Sequence, residues 1–147
     1  MSQLSKLLAS GLGLGYIPLA SGTFGSLWGV LFFLILPSEN FLTITLLFTI
    51  AAIAVADIAE REFHEKDPSK IVIDEVIGML ITYCFVSLSL INVIAGFVLF
   101  RLFDILKIYP ADWAQKNLSG GLGVVMDDVI AGAQAGIILY FMNLVLL

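Results

Sequence analysis

Charge, histidine and cysteine are all scarce in this chain. Its 147 residues hold seven Lys and Arg, twelve Asp and Glu, one His and one Cys. A lone cysteine, Cys84 in the apolar run ITYCFV, excludes a disulfide frame and a thiolate metal site. It reads as a small buried hydrophobe. A lone histidine, His64 in the polar REFHEKD stretch, leaves zinc without its usual nitrogen ligands. The net charge of −5 and an isoelectric point near 4.5 exclude nucleic acid as a partner, because that partner needs a basic face. The GLGLG of residues 11–15 follows no strand and opens no βαβ unit, so it is not a dinucleotide fingerprint. No low-complexity tract, long linker or internal repeat divides the chain. Residues 1–147 are read as one domain, and nothing in them calls for an oligomer.

What is abundant is apolar surface. Sixty per cent of the residues are apolar and 13% charged, against roughly 45–50% and about 25% in a soluble domain. The mean hydropathy of +1.05 agrees. Apolar runs cover residues 24–36, 41–56, 71–90, 91–103 and 129–147. Pro37 to Asn40 ends the first, and Ser87, Ser89 and Asn92 mark a turn between the third and fourth. A bilayer span needs about 20 residues, so several runs are short or extend into polar flanks. The pattern predicts an all-α protein, a small polytopic helical membrane bundle of about four or five membrane helices. Residues 2–22 carry one Lys, and glycines interrupt their apolar run, which suits an interfacial segment better than a cleaved signal.

The few charges are placed with a bias. If the chain crosses at each run, Lys6, Arg61, Lys66, Lys70, Arg101, Lys107 and Lys116 all fall on one side. The turns around Glu39 and residues 89–92 carry no basic group. The positive-inside rule then makes the polar segments cytoplasmic, with the N-terminus inside and, for five crossings, the C-terminus outside. Four crossings plus a re-entrant segment is the alternative. Either way, Gly22 to Gly25, Asp67, Asp74, Glu75, Arg101, Asp104, Asp127 and Asp128 share one membrane face.

Carboxylates beside lipid are costly unless paired, metal-bound or facing a wet cavity, so each motif at that face is a functional candidate. In SGTFGSLWG, Gly22 and Gly25 flank Thr23 at a helix start, where N–H groups and the hydroxyls of Ser21, Thr23 and Ser26 could cradle phosphate. Close helix packing through Gly25 and Gly29 explains the same glycines equally well. In FRLFDILK, Arg101, Asp104 and Lys107 lie at i, i+3 and i+6, roughly one helical face. They read either as a metal ligand with a phosphate fork or as an internal Arg–Asp pair with Lys107 snorkelling. Asp74 and Glu75 of IVIDEVIG point about 100° apart on a helix. One is therefore expected as a ligand and the other as a capping or supporting group. In GGLGVVMDDVIAG, helix capping accounts for one of Asp127 and Asp128, not both. Asp67, before Pro68, reads first as a turn residue and second as a metal or general-base group. An all-oxygen donor set suits Mg²⁺.

In this order and spacing, GTFGSLWG, DPSKIVIDEVIG, FRLFDILK and GGLGVVMDDVIAG resemble the phosphatidylglycerophosphatase A family, over about residues 15–136. The resemblance implies a small helical enzyme of the bacterial inner membrane, with Mg²⁺ as cofactor and its active site at the cytoplasmic face. It implies removal of the terminal phosphate of phosphatidylglycerophosphate, leaving phosphatidylglycerol and inorganic phosphate. The family's characteristic polar positions fall on Thr23, Asp67, Asp74, Glu75, Arg101, Asp104, Lys107, Asp127 and Asp128. Two departures stand out. The family usually continues Lys-Pro-Trp-Pro after its FD motif, whereas Ile108, Tyr109 and Pro110 follow Lys107 here. Val125 stands where Met is frequent.

Residues and resemblance together give a catalytic set of Asp74, Glu75, Asp104, Asp127 and Asp128. Asp74, Asp104, Asp127 and Asp128 are expected to hold the metal. Thr23, Gly22, Gly25, Arg101 and Lys107 are expected on the phosphate, with Asp67 as a further candidate. The nucleophile could be an activated water or a carboxylate. Two rival functions are another Mg²⁺-dependent lipid-headgroup enzyme and a small carboxylate-lined ion channel. A channel would spread its acids along a path rather than gather them at one depth.

Overall fold

The computed structural model describes residues 2–17, 20–64 and 68–146. Among these, seven α-helices and no strand are formed: α1 (Ser2–Ala9), α2 (Ser21–Ile35), α3 (Phe41–Phe63), α4 (Ile73–Tyr83), α5 (Leu90–Leu106), α6 (Ala111–Asn117) and α7 (Gly120–Leu146). The stretches Ser38–Phe63 and Gly120–Val145 are long and apolar enough to cross a bilayer. The outer surface is that of a membrane bundle. Large apolar side chains point outward all round it, from Ile50 at 67% exposed to Val145 at 81%. Water would penalise such a surface, whereas lipid does not.

Several boundaries differ from the hydropathy reading. Residues 71–90 were expected to form one crossing, yet α4 has only 11 residues, about 16 Å of rise. After Tyr83 the chain turns and runs irregularly to Ser89, whose side chain accepts a hydrogen bond from the Asn92 N–H at 3.1 Å and caps α5. The turn falls in the polar stretch where Ser87, Ser89 and Asn92 place it. Hydropathy also stops at Ala56, but α3 continues to Phe63 through polar residues. Helices α1 and α6 are short and were not anticipated as helices.

Helix α4 is the centre of the bundle. It packs against α2, α3, α5 and α7, and Ile77, Met79, Leu80 and Tyr83 are fully buried. Two glycine crossings let neighbours approach its backbone. On the α2 side, a Cβ at Gly25 would lie 2.8 Å from the Val72 carbonyl oxygen. On the α7 side, a Cβ at Gly132 would collide with the carbonyl of Gly78. There the Thr82 hydroxyl donates to the Gly78 carbonyl at 2.9 Å and reaches the Gly132 carbonyl at 3.3 Å. At the opposite end, Asn92 and Asn143 exchange amide hydrogen bonds of 3.0 and 2.8 Å between α5 and α7.

Candidate active site

The α4–α7 crossing builds the acidic cluster. Asp74 lies one turn before Gly78, and Asp128 one turn before Gly132, so the approach of the two glycines carries both carboxylates to the same place. Glu75, next along α4, reaches the gap beside α2. A Cβ at Gly22 would come within 2.5 Å of Glu75 Oε1 and 2.9 Å of Arg101 Nη1, so the glycine leaves that space open. One oxygen each from Asp74, Glu75 and Asp128 lie within 4.8 Å of one another. Asp74 is 8% exposed and Asp128 2%. Oε2 of Glu75 is buried without a hydrogen-bond partner. An unsatisfied buried carboxylate oxygen is costly, and three convergent carboxylates form a hard, all-oxygen donor set. These residues fit a Mg²⁺ ion.

A second group of charges adjoins the first. Lys107 Nζ lies 2.6 Å from Asp127 Oδ2, 3.1 Å from Asp104 Oδ1 and 3.3 Å from Asp128 Oδ1. Arg101 Nη1 donates to Asp104 Oδ2 at 2.6 Å and to Ser26 Oγ at 3.4 Å, while Ser26 donates to the Gly22 carbonyl at 2.8 Å. Five carboxylates thus surround two cationic groups, an excess of negative charge that an enclosed site tolerates poorly without a further cation. Burial alone would draw the Lys107 pKa down. The negative charges of Asp128, Asp127 and Asp104 outweigh it, holding the ammonium protonated with its pKa above the ordinary lysine value.

Lys107 reaches this position differently from the expected helical face. Helix α5 ends at Leu106, and Lys107 adopts the left-handed conformation, φ 45°. The Gln134 amide holds the following loop, donating to the carbonyls of Tyr109 at 3.0 Å and Ile108 at 3.4 Å. Arg101 and Asp104 keep their i, i+3 relation as an ion pair.

The other expected residues are placed as follows. Thr23 is half-buried in the first turn of α2, next to Gly22. Gly25 is buried under α4, where its lack of a side chain serves the helix crossing. Asp67 lies outside the described residues. Glu75 joins Asp74 in the convergent group, although adjacent residues diverge on a helix; its longer side chain makes up the angle. Asp57 was missed by the sequence reading. It accepts from the Gly121 N–H at 3.2 Å and pairs with Arg61 at 2.7 Å, fixing the start of α7 to α3. An aspartate four residues before an arginine signals only a local pair, so nothing in the sequence points to that tertiary role.

Comparison with known proteins agrees with the motifs. The family described as phosphatidylglycerophosphatase A matches residues 7–143. Phosphatidylglycerophosphatase A of Escherichia coli K12 is 35% identical, over 97% of this chain and 86% of that protein. The protein of the same name from Haemophilus influenzae is 37% identical, over 91% and 85%. A Bacteroides thetaiotaomicron protein with the provisional name phosphatidylinositol-3-phosphatase is 40% identical, over 94% and 92%. No solved structure matches. With the match running through all four motifs and nearly the whole chain, this protein belongs to the phosphatidylglycerophosphatase A family.

Proposed function

We propose that this protein is a Mg²⁺-dependent lipid phosphatase that hydrolyses the terminal phosphate of phosphatidylglycerophosphate, releasing phosphatidylglycerol and inorganic phosphate. The observation that carries the reading is the convergence of Asp74, Glu75 and Asp128 beside Arg101 and Lys107, with one buried Glu75 oxygen lacking a donor. Family membership supports the phosphatase activity and the lipid substrate.

In this reading Asp74, Glu75 and Asp128 would hold the ion. Bound there, Mg²⁺ would screen the phosphomonoester dianion and lower the pKa of a water, the two requirements for hydrolysis near neutral pH. Asp104 and Asp127, expected from the sequence as metal ligands, instead orient the two cationic side chains. Arg101 meets Asp104 and Ser26 through Nη1. A guanidinium carries five N–H groups, so its fork retains donors for two phosphoryl oxygens. Lys107 adds a point charge on the other side. The absence of a side chain at Gly22 lets a phosphoryl group approach both Glu75 and Arg101.

The C-terminal end of α5 and the N-terminal parts of α4 and α7 carry the charges of the cluster, which suits a site at one bilayer face. The basic-residue bias supports a cytoplasmic position for that face, in a multi-pass protein of the bacterial inner membrane. The diacylglycerol tails then stay in lipid while the headgroup enters the charged cluster.

The 40% identical relative favours one second reading, in which the substrate is phosphatidylinositol 3-phosphate. Phosphate release from both lipids in mixed micelles, with and without Mg²⁺, separates the two. Faster release from phosphatidylglycerophosphate, dependent on Mg²⁺ and lost in Asp128→Asn, is expected. Preference for the inositol lipid would replace the substrate, and release from neither would end the phosphatase reading.

A further inference from the structure

We infer that Lys107 takes the place of a second metal ion, so that the site binds one divalent cation and carries a fixed ammonium where a two-metal phosphatase would carry another. This rests on the metal reading proposed above.

The geometry divides the acids into two groups that share a member. Asp74, Glu75 and Asp128 converge within 4.8 Å. Asp104, Asp127 and Asp128 converge on Lys107 Nζ at 3.1, 2.6 and 3.3 Å. A carboxylate common to two cation positions is how paired metals about 3.5–4 Å apart are bridged in two-metal hydrolases. Here the bridging role falls to Asp128, but one of the two positions contains an amine from the chain itself. The ammonium donates to Asp127 and Asp128 and pairs by charge with Asp104, which leaves one of its three N–H donors uncommitted.

That ammonium is held rather than swinging. Its side chain is 23% exposed. Its backbone is set in the left-handed region directly after α5, and Gln134 ties down the next two residues. Expelling it to admit a second ion would leave a cation with no carboxylate to replace the three it lost. The division has a chemical meaning. An ammonium supplies one unit of charge and donates hydrogen bonds, but it does not acidify water. Lys107 can therefore screen Asp104, Asp127 and a phosphoryl oxygen, while ion-dependent chemistry stays with Asp74, Glu75 and Asp128.

The test is a count of bound ions, independent of turnover. Mn²⁺ binding to the purified full-length protein in detergent would be measured by equilibrium dialysis with electron paramagnetic resonance detection of free ion. Wild type and Lys107→Arg are expected to bind one ion per chain. Lys107→Met, which keeps side-chain length and removes the charge, should bind two. A double variant, Lys107→Met with Asp127→Asn, removes one charge of each sign and should return to one. Two ions in wild type would overturn the inference while leaving the metal reading intact. So would a single ion in Lys107→Met with unchanged helical circular dichroism. If Lys107→Met does not fold, the wild-type count and the double variant still decide, since two ions in either contradict it. No bound ion in wild type would instead remove the metal reading, and the inference with it.

Discussion

Replacing Gly132 by Ala tests whether the α4–α7 crossing sets the spacing of the carboxylates. The added Cβ would collide with the Gly78 carbonyl oxygen and sit 3.0 and 3.1 Å from the Gly78 C and Cα atoms. Ordinary carbon contacts are about 3.5–4.0 Å, so α7 must retreat by about 1 Å. Overpacking of this kind costs about 1–3 kcal/mol of stability. The effect on the ion should be larger in proportion. With Mg²⁺–oxygen distances of about 2.0–2.1 Å, no two ligand oxygens can be more than about 4.2 Å apart. Neighbouring ligands on such an ion sit about 2.9 Å apart, so three oxygens that lie within 4.8 Å of one another must draw together on binding, and a further 1 Å would put Asp128 beyond reach of the other two. The expected outcome is at least about 10-fold weaker Mg²⁺ activation and roughly 100-fold slower turnover, the scale of a 1 Å misplacement. Gly136→Ala is the internal comparison. It lies one turn further from the site on the same face, with contacts no closer than 3.0 Å. Phosphate release against Mg²⁺ concentration, with thermal unfolding in detergent, reads both effects. If Gly132→Ala lowers the melting temperature yet leaves Mg²⁺ activation as in wild type, the crossing does not position the metal ligands.

Three further outcomes are expected. Arg101→Lys keeps the charge but loses the planar fork, so it should fold normally and turn over at least about 10-fold more slowly; near-normal kinetics would reduce Arg101 to a scaffold for Asp104. Asn143→Leu takes the donor from the buried Asn92 Oδ1 at the far end of the bundle, while Asn92 Nδ2 keeps the Ser87 carbonyl. It should cost about 1–3 kcal/mol, while Mn²⁺ affinity stays at the wild-type value. A change in that affinity would show that the two ends of the bundle are coupled. With Cys84 replaced, cysteines at the exposed Ser69 and Ser119 should be protected from an impermeant thiol reagent in intact cells, and one at the exposed Glu39 should react. Reaction at all three would contradict a single charged face.

The apolar helices, though not all their bounds, and the charged end were legible because both follow from solvent preference. An apolar run of 16 residues has few places to go, and seven clustered charges in such a chain cannot be accidental. What stayed hidden depends on backbone paths. Nothing about Lys107 announces a left-handed residue, a region that glycine and asparagine favour; only Pro110, three residues on, hints that the helix stops. The reading of Asp74 and Glu75 as ligand and helper used Cα directions alone. It could not include a side chain long enough to bend back. Gly25 was balanced between cradle and packing because a small residue serves both, and only the position of Val72 separates them. Asp104 and Asp127 carry the same side chain as Asp74 and Asp128. What sets them apart is the pairing: Asp104 closes on Arg101 and Lys107 of its own motif, and Asp127 takes its 2.6 Å contact with Lys107 from another stretch of chain, whereas Asp128 meets that lysine only at 3.3 Å.

The position of the glycine crossing along α7 makes it a fulcrum. Asp128 lies four residues from Gly132 and Val145 thirteen residues on the other side, lever arms of about 6 and 20 Å. When a bilayer thins or thickens, a long helix answers by tilting. A tilt of about 5° around Gly132 would sweep Val145 through about 1.7 Å and Asp128 through about 0.5 Å. The far end of α7, tied to α5 through Asn143 and Asn92, would then move with that helix while the acidic end barely stirs. Such a hinge would let one catalytic geometry persist across lipid compositions that this protein, through its own product, would help to change.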